Sequence, residues 1–389
     1  MSTRFGFPLG ASVTLEELDR DPHPLLARLR EHEPVSWIPA LGGWLITKHD
    51  LALEAMRDPA TFTVDDPRFS TAQVIGPSML SLDGDQHARH RAPFVAPFRA
   101  GPVRERFAAP VASEAPRLID SLEPGGAELR RAFAGPLSAS TITRALGLEG
   151  DEAASALSWY DAIVHAVTEI TARQPIGPEG ERAFMALRAR LGALIDRGER
   201  SSLLAAAATS SALTREQAIS NAAVLLFGGI ETTEGMIANA ILHLLERPDQ
   251  LELARADARL LNLAIEESLR LEPAAAVIDR YATADAELAG APIRRGDLVR
   301  ISISAANRDP AVFRNPDVLD LSGANGRRHL AFAHGPHVCL GVHLARLEAR
   351  TALGSLLDRR PGVRLDPDRP SAVRGLVFRK PPTLHVLWS

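Results

Sequence analysis

The chain has 389 residues, a length that suits one large domain or two ordinary ones. With 46% hydrophobic residues, 24% charged residues and a net charge of −4, it is neither disordered nor fibrous, and it carries no basic excess for binding nucleic acid. Its single cysteine excludes a disulfide framework and any zinc or iron–sulfur site built from several thiolates.

Met1 to Arg20 mix charge with Gly and Pro and contain no apolar run. Neither a signal peptide nor a membrane anchor is expected there, and the chain reads as cytoplasmic. Helical patterns at Leu25 to Glu33 and Leu51 to Arg57 flank a strand around Trp44 to Thr47. From Val103 to Leu271, Ala/Leu/Glu/Arg segments carry apolar residues at three- and four-residue spacing. After Pro273 come short β-branched runs such as Leu298 to Ile303, then a helical pattern over Gly341 to Leu357. An extended tail follows, with Leu376 to Phe378 and Leu384 to Leu387. The expected fold class is mainly α with a minor β region, read as a single domain over residues 1–389. Helix-rich parts fall at about 82–271 and 341–357, and β-rich parts at about 30–50, 274–325 and 373–389.

The strongest single helix runs from Thr214 to about Arg247, opened by a Thr214/Gln217 capping box and stopped by Pro248. Its apolar run Ala222 to Phe227 breaks at Gly228, Gly229, Ile230, Glu231, Thr232, Thr233. Two interior glycines cost about 2 kcal/mol relative to alanine. Either the helix kinks near the surface, or it opens to admit a ligand with an acid and an alcohol beside the gap. Thr232 lies one turn after Gly228, so its hydroxyl can bond that residue's carbonyl.

The lone cysteine, Cys339, closes the run Phe332-Ala333-His334-Gly335-Pro336-His337-Val338-Cys339-Leu340-Gly341 and precedes a helix. The positive end of that helix favours a thiolate, and the glycines permit a tight loop near something flat and bulky. A solitary buried cysteine can equally be an inert small hydrophobe.

Phe332-x-x-Gly335-x-x-x-Cys339-x-Gly341 resembles the haem-binding loop of the cytochrome P450 family. Three further signatures follow the family's order. Glu267-Ser268-Leu269-Arg270, with Pro273 beyond, resembles its E-x-x-R helix; Gly228-Gly229-Ile230-Glu231-Thr232 resembles its oxygen-binding groove; Ala306-Asn307-Arg308-Asp309-Pro310 with Phe313 resembles the segment after the sheet in soluble bacterial members. The match runs from about Leu82 to Leu376, and Ala333 stands where glycine is usual.

The resemblance implies the P450 fold, with the long helix over haem b (iron protoporphyrin IX) and the thiolate loop beneath. It makes Cys339 the axial iron ligand, which favours O–O cleavage. His87, Arg91, Arg280 and His337 would contact the propionates, with Phe332, Gly335 and Gly341 shaping the loop. His87 and Arg91 alone would read as an exposed basic stripe, as His90 and Arg89 still do. Glu267 and Arg270, an ordinary surface pair by spacing, become a buried structural pair that holds the helix to the loop before the cysteine. Thr232 would hydrogen-bond the activated oxygen and Glu231 would relay protons.

The implied activity is a monooxygenase that uses O2 to hydroxylate, or otherwise oxidise, a small lipophilic molecule of secondary metabolism or catabolism. A peroxide-driven peroxygenase or coupling enzyme is the alternative on the same fold, and a non-enzymatic haem sensor the alternative from another class. Electrons would come from a ferredoxin and its NAD(P)H-dependent reductase. Arg346, Arg350 and Arg89 could form a docking patch on what is expected to be a monomer. Gly228, Gly229, Val277, Ile278 and Leu376 are the pocket candidates, together with the loop Phe62 to Leu80 and the helix near Leu157 to Thr171. Asp279 would meet a polar group of the substrate or pair with a nearby arginine.

Overall fold

The computed structural model describes residues 6–148, 152–171, 177–197, 202–210, 212–323, 325 and 328–388. Parts of the expected helix-rich and β-rich stretches, residues 149–151, 172–176, 198–201, 211, 324 and 389 among them, lie outside the described residues. The fold is dominated by helix with a small sheet region, as the sequence pattern implies. Among the described residues no helix is long and apolar enough to cross a membrane. The chain divides into two compact units. One comprises Met1–Val64, Ala238–Cys339 and Arg364–His385, and the other Asp65–Ile237, Leu340–Val363 and Val386–Ser389.

The first unit is built on a five-stranded sheet. In spatial order its strands are Val35–Ile38, Gly43–Ile46, Leu298–Ser302, Val277–Ala282 and Phe62–Thr63. Gly43–Ile46 and Leu298–Ser302 are parallel, and the other neighbours are antiparallel. Side-chain alternation sends Trp44, Ile46, Val299 and Ile301 into one buried cluster and Leu45 into another with Leu26, Leu29 and Ile38. The strand expected through Ile303 ends at Ser302, where a short helix Ile303–Ala306 begins. Beyond it, up to Gly323, the described chain is irregular.

That irregular segment is held by a side chain. Arg270, on the helix Ala258–Leu271, has no exposed side-chain surface and forms a two-pronged pair with Glu267, at 3.0 and 2.8 Å. Its remaining N–H groups donate to the backbone carbonyls of Asn307, Pro316 and Val318, while Glu267 Oε2 accepts from Asp320 N and Asn325 Nδ2. The pair is buried, and its further partners lie in the segment from Asn307 to Asn325. Phe313 lies under the guanidinium groups of Arg270 and Arg328, 5.6 and 5.8 Å from its ring centre.

A second buried carboxylate, Glu272, takes His23 Nε2 at 2.8 Å and Arg379 Nε at 2.7 Å. Arg379 also donates to the carbonyls of Asp19 and Gly375, which fixes the turn carrying Leu376. Burial alone would raise the Glu272 pKa, but the hydrogen bond and charge of His23, with Arg379 and Arg308, hold it down at about 2.

The second unit is helical. Its Val342–Arg359 helix packs on Ala100–Asp120, and Glu152–Thr171 packs on both Pro178–Asp196 and Gly135–Leu146. Residues 215–237 of the long helix Arg215–Leu245 belong here. Its expected capping box is present: Gln217 N bonds Thr214 Oγ1 at 3.3 Å, and Thr214 N bonds Gln217 Oε1 at 3.0 Å.

Removing Arg270 leaves a buried carboxylate uncompensated, so Arg270→Ala is expected to lose about 3–5 kcal/mol in denaturant unfolding. Glu272 has a folded pKa below its ordinary 4.5, so its stabilisation is fully present above about pH 4.5 and is lost as pH falls towards about 2. The unfolding free-energy difference between the parent protein and Glu272→Gln should therefore shrink across that window, and a difference independent of pH there would contradict the charged pairing.

Candidate active site

The cysteine loop is shaped by backbone turns. Cys339 N bonds Phe332 O at 2.8 Å, Ala333 N bonds Leu330 O at 2.8 Å, and Val338 N bonds Gly335 O at 3.1 Å. Two residues adopt left-handed backbone, Ala333 at φ 57° and Gly335 at φ 74°. For Ala333 this conformation costs about 1–2 kcal/mol. At Gly335 a Cβ would stand 2.5 Å from the carbonyl oxygen of Met56, so glycine is required twice over, by angle and by space. Arg57 and His334 meet at 2.9 Å, and Asn307 Oδ1 accepts from Leu330 N at 2.7 Å. Every residue from Ala331 to Val342 keeps some exposure, including the apolar Phe332, Ala333, Leu340 and Val342.

Arg280 is buried on the strand Val277–Ala282 and donates to Asp279 O at 2.8 Å. The neighbouring Asp279 carboxylate pairs with Arg300 at 2.8 Å, the arginine partner foreseen as one of its two readings. Val277 and Leu376 line one small cleft with Leu18, Leu26, Leu45 and Ser304, while Ile278 packs against the sheet's larger apolar cluster. His337 is half-buried in the single turn Gly335–His337.

Along the long helix, the residues from Asn221 to Leu244 are buried with three exceptions: Gly228, Gly229 and Thr232. The helix is continuous through them, and Thr232 Oγ1 donates to Gly228 O at 2.7 Å. An added Cβ at Gly228 would meet nothing within 4 Å, whereas at Gly229 it would stand 2.8 Å from Ile142 Cγ1. The two glycines therefore differ in purpose: one leaves an opening and the other permits close packing.

Glu231 faces inward, 1% exposed, and accepts from the hydroxyl of Tyr160. Tyr160 is also 3.4 Å from Glu234, whose other oxygen is 3.3 Å from Arg130 Nε. Sequence reasoning missed Tyr160, Glu234 and Arg130; the only local signal was the three-residue spacing of Glu231 and Glu234.

His87 and Arg91 share one face of the helix Gly84–Val95, His87 buried and Arg91 half-buried. His90 and Arg89 depart from the expected exposed stripe. His90 is 1% exposed and bonded to Asn221 Nδ2; it lies three residues after the buried His87, on the same inward side of the helix. The Arg89 guanidinium is committed to Ala212 O, Gln217 and Gln86, which removes it from the expected docking patch. Arg350 is exposed and Arg346 half-buried on the helix after the cysteine loop.

A long helix left half-uncovered at Gly228, Gly229 and Thr232, with the acid Glu231 among them, a buried E-x-x-R pair and a tight loop ending in the sole cysteine are the features of a haem-thiolate oxidoreductase. The comparisons with known proteins agree. The Cytochrome P450 family model matches residues 194–360. Nocardicin C N-oxygenase of Nocardia uniformis subsp. tsuyamanensis is 34% identical, over 98% of each chain. Cytochrome P450 monooxygenase PikC of Streptomyces venezuelae is 33% identical, over 90% of this chain and 86% of that one. The ligand-free structure of P450 monooxygenase TamI superposes with a TM-score of 0.84 at 33% identity, covering 97% of this chain and 95% of that one. The chain belongs to the cytochrome P450 family and is a P450 monooxygenase of the bacterial secondary-metabolism type, an oxidoreductase that uses haem, oxygen and a redox partner.

The residues present fit that cofactor. Among the described residues no three His, Cys, Asp or Glu side chains are grouped to hold a bare metal ion. A lone sulfur suits an iron that brings its in-plane ligands with it. Gly228 and Gly341 leave room where a Cβ would stand, and the apolar residues around Cys339 remain partly uncovered, as a flat apolar group requires.

Gly229→Ala is expected to destabilise the fold by about 1–3 kcal/mol through overpacking on Ile142, despite its better helix propensity, and Ile142→Val should recover part of the loss. Gly228→Ala should leave the melting temperature unchanged or raised, because its methyl enters open space. Differential scanning of the three variants checks the ordering.

Proposed function

We propose that this P450 hydroxylates, or otherwise oxidises, a small lipophilic molecule, acting as a cytoplasmic monomer with electrons from a ferredoxin and its NAD(P)H-dependent reductase. The observation that carries this reading is the partial exposure of Gly228, Gly229 and Thr232 alone among the otherwise buried helix residues Asn221–Leu244. Cys339 would ligate the iron of haem b, and the group when bound would supply reductive activation of O2. His87, Arg91, Arg280 and His337 would hold its two propionates, anions that need cationic or N–H partners when buried. Phe332, Gly335 and Gly341 shape the loop against the ring.

Thr232 gives its one hydroxyl hydrogen to Gly228 O, so its oxygen presents lone pairs and can hold a proton delivered beside it. Glu231 moves protons towards that position, and the buried apolar stretch Ala222 to Phe227 excludes stray water from the helix face. Gly228, with open space beside it, and, in the first unit, the cleft residues Val277 and Leu376 offer apolar surface, which favours a lipophilic compound. Arg346 and Arg350 meet an acidic redox partner.

Cys339→Ser should abolish the red-shifted absorption band of the reduced, carbon-monoxide-bound protein; persistence of the band would remove Cys339 as the ligand. Thr232→Ala should keep haem but divert reducing equivalents to hydrogen peroxide, read as product per nucleotide oxidised. Product formation by peroxide alone, faster than with ferredoxin, would replace the monooxygenase cycle by a peroxygenase one. Spin-state shifts on adding compounds from a lipophilic library identify the substrate class.

A further inference from the structure

Three side chains of the second unit stand around Glu231 with no part in the chemistry assigned so far. Tyr160, on the helix Glu152–Thr171, is buried; its hydroxyl donates to Glu231 and lies 3.4 Å from Glu234 Oε2. Glu231 and Glu234 are three residues apart on one helix, so their carboxylates are neighbours. Arg130, at the one-turn π-helix Arg130–Ala134, sits 3.3 Å from Glu234 Oε1. Gly135 makes room for that carboxylate, since a Cβ there would stand 3.1 Å from it. Next to these residues, Arg131 pairs with Asp161 at 2.9 Å and ties the same two segments together.

A phenol has one hydrogen to donate and two carboxylates here compete for it. Burial, and then the charges of Glu231 and Glu234, push the Tyr160 ionisation upward, so the group remains a donor. Arg130, 3.3 Å from Glu234 Oε1, is there to balance the charge of Glu234 when the phenol is elsewhere. We propose that Tyr160 is a positioning residue, a two-position latch whose hydroxyl holds Glu231 in place and releases it for proton transfer by swinging to Glu234. The inference rests on Glu231 as the proton relay. The phenol keeps its own proton throughout, and Arg130 keeps Glu234 available as the second acceptor.

Tyr160 and Tyr281 are the only tyrosines of the chain, so fluorotyrosine labelling gives two resonances. In the reduced, carbon-monoxide-bound holoenzyme, Tyr281→Phe assigns them. Glu231→Gln and Glu234→Gln should each move the Tyr160 resonance and leave that of Tyr281 in place; a Tyr160 signal indifferent to Glu234→Gln overturns the latch. In turnover, Tyr160→Phe should lower product per nucleotide oxidised by about ten-fold while leaving the substrate-induced spin shift intact. The double variant Tyr160→Phe/Glu231→Gln should be no worse than Glu231→Gln alone, because the phenol acts through that carboxylate. Additive losses overturn the proposal. If Glu231→Gln itself stays fully coupled, the relay reading falls and the latch with it; if it uncouples while Tyr160→Phe does not, only the latch falls. Should Tyr160→Phe fail to fold, Glu234→Gln decides alone, with a moved resonance and changed coupling expected.

Discussion

A guanidinium sealed from water must find a partner for every N–H it carries, and in the first unit Arg270 does so. Two of its donors go to Glu267 and the others to carbonyls of a segment that has no ladder of its own. A stretch of irregular backbone is thereby satisfied by one side chain instead of by a neighbouring strand. Asn307, whose carbonyl is among those bonded, reaches in turn to the backbone N–H of Leu330 at the entrance to the cysteine loop. The position of the sulfur thus depends on a charge pair that never touches the reacting atoms. Replacing Arg270 would disturb the loop through its scaffold, not through its ligand.

Buried carboxylates in the second unit are compensated differently. Glu267 meets a fork of two fixed N–H groups, a geometry with one solution. Glu231 meets a single phenolic hydrogen that a second carboxylate also approaches. A doubly anchored pair is rigid; a single donor within reach of two acceptors is less constrained. Rigidity suits the loop that fixes a sulfur, and choice suits a group that must receive a proton and then pass it on.

What the sequence revealed follows from what local chemistry can encode. The Thr214/Gln217 box and the Thr232 to Gly228 bond depend on residues within a few positions, and both were legible; the left-handed backbone of Ala333 and Gly335 was not read, beyond a tight loop that glycine permits. The five-stranded order was not, because it pairs Gly43–Ile46 with Leu298–Ser302, some 250 residues away in sequence. Tyr160 and Glu231 meet across 71 residues, with no period or motif to announce it. His90 was misread because a basic-looking run, His87 to Arg91, carries no mark of which members face a neighbouring helix and which face water. The β-rich expectation overran Ser302 for a related reason: β-branched and turn residues signal extended chain, but not whether a strand or an arginine will take up its carbonyls.

Adjacent glycines in the long helix show how a single dipeptide can serve two ends. Propensity alone would eliminate both, at about 1 kcal/mol each. Gly229 persists because Ile142 occupies the place of its methyl, a packing constraint that contributes to stability. Gly228, with nothing within 4 Å, has no such neighbour, so packing does not explain it. Its Thr232-bonded carbonyl and its open side lie on the same turn, one helical step from the acid. Helix packing therefore accounts for the stability forgone at Gly229 and not for that at Gly228, which is why substitution at the two positions is expected to separate folding from the function proposed for the open side.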